Sequence, residues 1–232
     1  MATGNRAHNK RSPKNAKTSP KTYQYYCQVG ADYVRLGGNE GSSVDTETYG
    51  YSYPMASLIQ DSLVQKATTG QVVGVSPKII ADGGINSMAD ILKCLALGAD
   101  YVMIGNQFAS LLESAGPILE KSGGKTQEIA DRTVLTEADI HELDLYRKYG
   151  GLSNHEYQAK INGFASTEEY LKGRNKIYCH EDCHSNIIKI ESTLEDWLGN
   201  FYNAASYAFI QNNSTNWIEF KKNAKFASIK SV

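Results

Sequence analysis

The chain has 232 residues, 41% of them hydrophobic, and its formal net charge at pH 7 is −1. This composition is typical of a globular protein with a sizeable core, and the length favours a single domain. No stretch approaches the roughly 18 consecutive apolar residues of a membrane span, and the sequence does not open with the apolar segment of a secretory signal. We therefore expect a cytoplasmic protein without a membrane partner, whose four cysteines are reduced thiols.

Residues 1–21 contain six Lys or Arg residues and no acidic residue, and Ser, Thr, Asn and Pro make up much of the remainder. Such a segment lacks the apolar side chains that pack a core, so it is predicted to be a disordered basic tail. Nucleic acid is not the favoured partner of this tail, because no aromatic residues are interleaved with its basic ones.

A short helix around Tyr23 and Cys27 leads into a strand at 33–36. The loop that follows this strand is rich in Gly and Ser and extends to about Thr46. The apolar pattern then predicts a helix from Met55 to about Lys66, and residues 68–76 are predicted to form a loop.

The central stretch, residues 78–115, contains two apolar runs that each end at glycine. The first ends at Asp82, Gly83 and Gly84, the second ends at Gly105, and apolar residues recur at helical spacing between them. A strand, a glycine turn, a helix and a second strand in this order predict a βαβ unit with parallel strands. Glycine turns at the carboxyl ends of parallel strands place backbone N–H groups ahead of helix N-termini, a geometry suited to phosphate.

The sequence from 116 to 190 is polar and contains glycine pairs, which predicts a mobile flap over a site. Within it, residues 179–184 include two cysteines and two histidines, but their spacing is not that of common zinc sites, so no metal is predicted. Beyond residue 190, Thr193 can cap a helix with apolar residues at helical spacing, and residues 225–229 alternate like a strand.

Three motifs carry a resemblance to a known family. IIADGGI at 79–85, ALGADYVMIG at 96–105 and YRKYGGLSNHE at 146–156 resemble the IMP dehydrogenase and GMP reductase family, and the last is more similar to the reductase branch. The resemblance implies an α/β fold, a partial TIM (β/α)8 barrel of which residues 22–115 form the last three strand–helix units. A flap at 116–190 and a C-terminal helix and strand at 191–232 would follow.

A complete barrel takes about 250 residues, so the resemblance implies that the chain is a C-terminal half of a barrel, a split gene product or a degenerate relative. The edge of its first strand, at Tyr33, would then be unpaired and would need a partner. We expect either a homo-oligomer or a companion chain that supplies the missing strands.

The resemblance also implies roles for individual residues in binding a purine mononucleotide. Asp82 would accept hydrogen bonds from the ribose hydroxyls, and Glu156 would handle a proton together with Thr46. The other implied contacts are Ser42, Gly83, Gly84, Gly105 and Asn106 to the nucleotide, Gly151, Leu152 and Ser153 to the base, and Gly38 and Gly41 to a monovalent cation such as K⁺.

One feature departs from the family pattern, in which a cysteine attacks the purine. Counting along the loop places Val44 or Ser43 at that position, and valine has no nucleophilic atom. Three functions stay open: an NADPH-dependent reduction of GMP to IMP, a non-catalytic protein that binds a purine nucleotide or docks onto a family member, and an NAD-dependent IMP dehydrogenase.

Overall fold

The computed structural model describes residues 14–16, 19–37, 53–73, 76–129, 134–150, 155–172 and 186–227. The first half of the described chain forms a four-stranded parallel sheet with strand order β1-β2-β3-β4. Its strands are β1 (Lys14–Ala16), β2 (Tyr33–Gly37), β3 (Lys78–Asp82) and β4 (Tyr101–Met103). Each strand is followed by a helix, in order α1 (Pro20–Gln28), α2 (Met55–Val73), α3 (Met88–Ala96) and α4 (Asn106–Ala109).

One face of this sheet is packed against helices. Val34, Leu36, Ile79 and Ala81 alternate along β2 and β3, and all four are fully buried. They share a core with side chains of α1, α2 and α3, namely Tyr23, Cys27, Leu58, Ile59, Ile91 and Cys94. Because successive side chains in a strand point to opposite faces, the period of two assigns this face to the core.

The opposite face of the sheet is far more open. Tyr33 and Arg35 of β2 are partly exposed, and the alternate residues Tyr101 and Met103 of β4 are exposed. The rings of Tyr33 and Tyr101 lie in contact, with centroids 6.0 Å apart. Parallel sheets are usually covered on both faces, so in the described part of the chain only one of the two expected layers is present.

The second half of the described chain contains an antiparallel sheet with strand order β6-β5-β7-β8. Its strands are β5 (Ile118–Ser122), β6 (Lys125–Ile129), β7 (Leu145–Tyr149) and β8 (Asn186–Lys189), with α5 (Glu137–Glu142), α6 (His155–Ile161) and α7 (Thr167–Lys172) in the connections. A small core of Ile118, Ile140, Leu145 and Ile190 holds it together. Two helices, α8 (Leu194–Gln211) and α9 (Trp217–Asn223), follow.

A buried arginine joins the antiparallel sheet to the segment that follows α4. The guanidinium of Arg147, on β7, is fully buried and donates hydrogen bonds to the carbonyls of Leu111, Leu112 and Gly116 at 3.0, 2.9 and 2.8 Å. The backbone N–H of Lys148 donates to the carbonyl of Pro117. The position of β7 is thereby fixed relative to the end of the parallel sheet.

The helix that follows the antiparallel sheet begins where the sequence predicted. Thr193 caps α8, since its hydroxyl accepts from the N–H of Asp196 while the Asp196 carboxylate accepts from the N–H of Thr193. This reciprocal arrangement is a capping box. Among the described residues, no helix is both long and apolar enough to cross a membrane.

Two predictions about the first part of the chain were wrong. Residues 14–16, assigned to a disordered tail, form β1 and pair with β2, so the edge at Tyr33 that was expected to be unpaired has a partner. The helix α1 also starts before residue 22, because Ser19 caps it and Pro20 suits its first turn. The other residues of 1–18 lie outside the described part.

Two further differences concern local structure. The loop predicted at 68–76 is helical as far as Val73, and the Thr68 hydroxyl donates to the carbonyl of Val64 inside the helix. The strand predicted at 225–229 is not seen at 225–227, where the chain leaves α9 without a partner strand. An alternating pattern forms a strand only where another strand pairs with it.

Candidate functional site

The two glycine turns predicted from sequence lie at the carboxyl ends of neighbouring parallel strands. Gly83 and Gly84 follow β3 with φ values of +106° and +69°, a conformation that other residues rarely adopt. Gly105 precedes α4, and the carbonyl of Gly105 accepts the first hydrogen bonds of this helix, from the N–H groups of Phe108 and Ala109. The N–H groups of Asn106 and Gln107 therefore lie ahead of the first helical hydrogen bond.

The side chain of Gln107 links the two turns. Its amide nitrogen donates to the carbonyl of Ile85 at 3.3 Å, and its amide oxygen accepts from the indole N–H of Trp197 at 3.2 Å. The Trp197 ring also packs edge-on against Phe108, with centroids 4.9 Å apart. Helix α8 thus supports the start of α4 through side chains that the sequence alone did not connect.

Asp82, the last residue of β3, lies between the ends of β2 and β4. In the ladder it pairs with Gly37 on one side and with Met103 on the other. A β-carbon added to Gly37 would lie 2.0 Å from the carbonyl oxygen of Asp82, so only glycine permits this approach. The carboxylate is mostly shielded, with 17% of the side chain exposed.

Arg35 is a charged partner of this carboxylate and was missed at the sequence level. Its Nε lies 3.1 Å from Oδ2 of Asp82, and its Nη1 lies 3.7 Å from Sδ of Met103. The available signal was the strand period of two, which places Arg35 on the sheet face opposite to the buried Val34 and Leu36.

Tyr149 is a second residue that sequence reasoning missed. It is the last residue of β7, and its hydroxyl lies 3.0 Å from the position of a β-carbon built on Gly105. The antiparallel sheet therefore places a hydroxyl group beside the second glycine turn, at Gly105. The motif at 146–156 marked this segment, but nothing in it distinguished Tyr149 from Tyr146, whose hydroxyl instead contacts Asp144 at 3.3 Å.

Glu156, the proposed proton-handling carboxylate, lies in the first turn of α6. Its Oε2 is 2.7 Å from Nζ of Lys148, and 57% of the side chain is exposed.

The structure brings Asp82, Gly83, Gly84, Gly105 and Asn106 to one edge of the parallel sheet. The remaining predicted site residues lie outside the described residues, namely Gly38, Gly41, Ser42, Thr46, Gly151, Leu152 and Ser153, as does the segment 179–184.

Neither of the two cysteines in the described residues is suited to act as a nucleophile. Burial raises the pKa of the Cys94 thiol to about 11, and burial likewise raises the pKa of Cys27. Both side chains lie in the core between the sheet and its helices. The reactive form of cysteine is the thiolate, which these environments disfavour.

Comparison with known proteins agrees with the motifs. A family profile described as the IMP dehydrogenase / GMP reductase domain matches residues 16–231. The chain belongs to this family. Its members among the similar curated proteins are named as oxidoreductases of two kinds.

A GMP reductase of Photobacterium profundum is 25% identical over 180 residues, which are 77% of this chain and 43% of that protein. GMP reductase 1 of Mus musculus is 35% identical over 97 residues, 41% of this chain and 26% of that protein. An inosine-5'-monophosphate dehydrogenase of Chlorobaculum parvum is 26% identical over 221 residues, 92% of this chain and 38% of that protein. The chain thus spans less than half the length of each of these relatives.

Proposed function

We propose that the carboxyl ends of β3 and β4 bind a purine nucleoside 5'-monophosphate, GMP or IMP. The phosphate would be held by backbone N–H groups of Gly83, Gly84, Gly105 and Asn106, and the ribose hydroxyls would donate to Asp82. The observation that carries this proposal is the placement of two glycine turns and one carboxylate on adjacent parallel strands.

The chemistry of the edge supports a ligand with a phosphate at one end and a diol at the other. Backbone amides ahead of helices bind anions, and the hydroxyl of Tyr149 adds a donor beside Gly105. A carboxylate accepts hydrogen bonds only, so Asp82 is suited to hydroxyl groups and would repel a second phosphate.

Family membership and the flap motif favour GMP reduction as the reaction. In this reaction GMP, NADPH and two protons give IMP, NADP⁺ and an ammonium ion, and the cofactor supplies the hydride for the purine C2. Glu156 and Thr46 would then handle the proton that the leaving amino group needs. In the described part of the chain, the anion-binding amides would serve the nucleotide phosphate, and none of the observed contacts identifies residues that would hold the cofactor. The K⁺ proposal concerns a loop outside the described residues.

A second candidate is nucleotide binding without turnover. It is favoured by the absence of cysteine from the loop after β2 and by the burial of Cys27 and Cys94. The third candidate, an IMP dehydrogenase-like reaction with NAD, shares the nucleotide site and is favoured by a relative of that name that matches 92% of the chain.

We also propose that the parallel sheet is part of a (β/α)8 barrel. The exposed face that carries Tyr101 and Met103 would be the inner face of this barrel. Further strands, from another copy or a companion chain, would cover this face in the assembled protein.

The Gly105→Ala variant tests the nucleotide site. The φ of Gly105, −106°, suits alanine, but the new methyl group would lie 3.0 Å from the Tyr149 hydroxyl, beside the proposed phosphate position. We expect calorimetric titration to show GMP and IMP binding weakened by about tenfold or more, the range of one hydrogen bond to a charged group, with guanosine unaffected. Gly199→Ala on α8, where a β-carbon meets nothing within 4 Å, is the matched control.

An assay of NADPH oxidation with GMP separates the candidates. GMP turnover by the chain supports the reductase and excludes the non-catalytic candidate. Binding without GMP turnover excludes the reductase, and an assay of NAD reduction with IMP then separates the dehydrogenase from the non-catalytic protein. Absence of GMP and IMP binding by the unmodified chain would refute the proposed function.

A further inference from the structure

Arg35 lies across three neighbouring strands, β2, β3 and β4, at the edge of the sheet where the nucleotide is proposed to bind. It originates on β2, its Nε contacts the Asp82 carboxylate at the end of β3, and its Nη1 reaches Sδ of Met103 on β4. The side chain therefore spans the sheet face next to the site. A quarter of it is exposed, so the ion pair is partly shielded from water.

This geometry determines how Asp82 is presented. A carboxylate on a short side chain can rotate about its terminal torsion, which has a broad minimum. The ion pair between Nε and Oδ2, at 3.1 Å, restricts that freedom. Since Arg35 is itself held at Nη1, the direction in which Asp82 accepts hydrogen bonds is set from β2 and β4 together.

We infer that Arg35 is a positioning residue that makes the site selective for ribonucleotides over 2'-deoxyribonucleotides. The inference rests on the proposed function, because it assigns Asp82 to the ribose. A carboxylate held in one orientation can accept from both the 2' and 3' hydroxyls, and a deoxyribose leaves one of these interactions unmade. Sites built to hydrogen-bond a hydroxyl discriminate strongly against the analogue that lacks it.

The alternative role for Arg35 is purely structural, as an ion pair that holds β2 and β3 together. The two roles predict different effects on the ratio of the affinities for the ribonucleotide and the deoxyribonucleotide. If Arg35 only stabilised the sheet, its replacement would weaken ribonucleotide and deoxyribonucleotide binding equally. If it orients Asp82, its replacement weakens the ribonucleotide selectively.

The Arg35→Lys variant tests the inference, because lysine keeps the charge but cannot contact Asp82 and Met103 through two separate nitrogens. The affinities of GMP and 2'-deoxy-GMP are measured by calorimetric titration for the unmodified chain and the variant. We expect the unmodified chain to prefer GMP by about tenfold to a hundredfold, the range of one hydrogen bond to a charged group. We expect the variant to lose most of this preference, with its affinity for GMP falling by more than its affinity for 2'-deoxy-GMP, which has only the 3' hydroxyl to donate to Asp82.

Two further variants keep the test decisive if Arg35→Lys is less stable. In an Asp82→Asn background the Arg35→Lys change should no longer alter the preference, since the residue acts through Asp82. Lys189→Gln, which removes an exposed 3.4 Å ion pair with Asp144 in the other sheet, should leave the preference unchanged.

The outcomes separate the inference from the proposed function. Binding of GMP with no preference over 2'-deoxy-GMP, or an unchanged preference in Arg35→Lys, overturns the inference and leaves the nucleotide site intact. Failure of the unmodified chain to bind either nucleotide overturns both.

Discussion

The buried Arg147 should be among the residues on which stability depends most. Replacing it with methionine keeps much of the stem that packs beside Gly116 but removes the donors to the carbonyls of Leu111, Leu112 and Gly116. Three hydrogen bonds from a charged group, at about 1.5–3 kcal/mol each, set an upper limit near 4.5–9 kcal/mol. Because the variant also avoids the cost of burying a guanidinium, the expected loss is about 3–5 kcal/mol.

Denaturation by urea, followed by circular dichroism, measures this loss. A decrease of this size is a large part of the about 5–15 kcal/mol that typically stabilises a domain, so the midpoint should move to a clearly lower urea concentration. The neighbouring Lys148→Met is the control, since it removes a half-exposed ion pair worth about 0–1 kcal/mol. A loss under about 1 kcal/mol for Arg147→Met, with an unchanged slope, would show that the junction does not depend on these hydrogen bonds.

Two other predictions concern the parallel sheet. Gly37→Ala should destabilise the protein by about 1–3 kcal/mol and weaken GMP binding, because the new methyl group would lie 2.0 Å from the carbonyl oxygen of Asp82. The control Gly199→Ala, in open space on α8, should instead stabilise the protein by about 0.5–1 kcal/mol. Equal effects of the two substitutions in urea denaturation would contradict the packing argument. Burial raises the pKa of Asp100, but the N–H of Ile79 and nearby lysine ammonium groups outweigh burial and hold the pKa below its usual range. The stability that Asp100 contributes is fully present above its unfolded pKa of about 3.9 and is lost as the pH falls through its folded pKa. Asp100→Asn should therefore lower the free energy of unfolding at pH 7. On acidification the variant should lose less of its free energy of unfolding than the unmodified chain does. A parallel loss in both proteins would contradict this.

The sequence predicted local structure well where one face of an element is apolar. The βαβ unit from β3 to β4 is confirmed, because the apolar runs, the glycine turns and the helical spacing all lie within one short stretch. The start of α8 is confirmed as well, since its capping residue, Thr193, acts on the next turn of the same helix. In both cases the residues that decide the structure are neighbours in sequence.

The two errors that concern strands share one cause. Strand β1 and the absence of a strand at 225–227 both depend on whether a distant segment offers a ladder partner, and local composition carries no information about that. The antiparallel arrangement of β5 to β8 was likewise invisible, because β7 pairs with strands far from it along the chain.

For the candidate site, the sequence by itself determined which backbone turns and which carboxylate lie at the strand ends. Glycines can be recognised as turn residues from sequence, and parallel strands place their carboxyl ends at a common edge. Only the tertiary structure decided which side chains approach that edge. Arg35 contacts Asp82, Tyr149 approaches Gly105, and Arg147 fixes the position of β7. Each of these contacts joins residues that are far apart in the chain, so it follows from tertiary packing rather than from any local pattern.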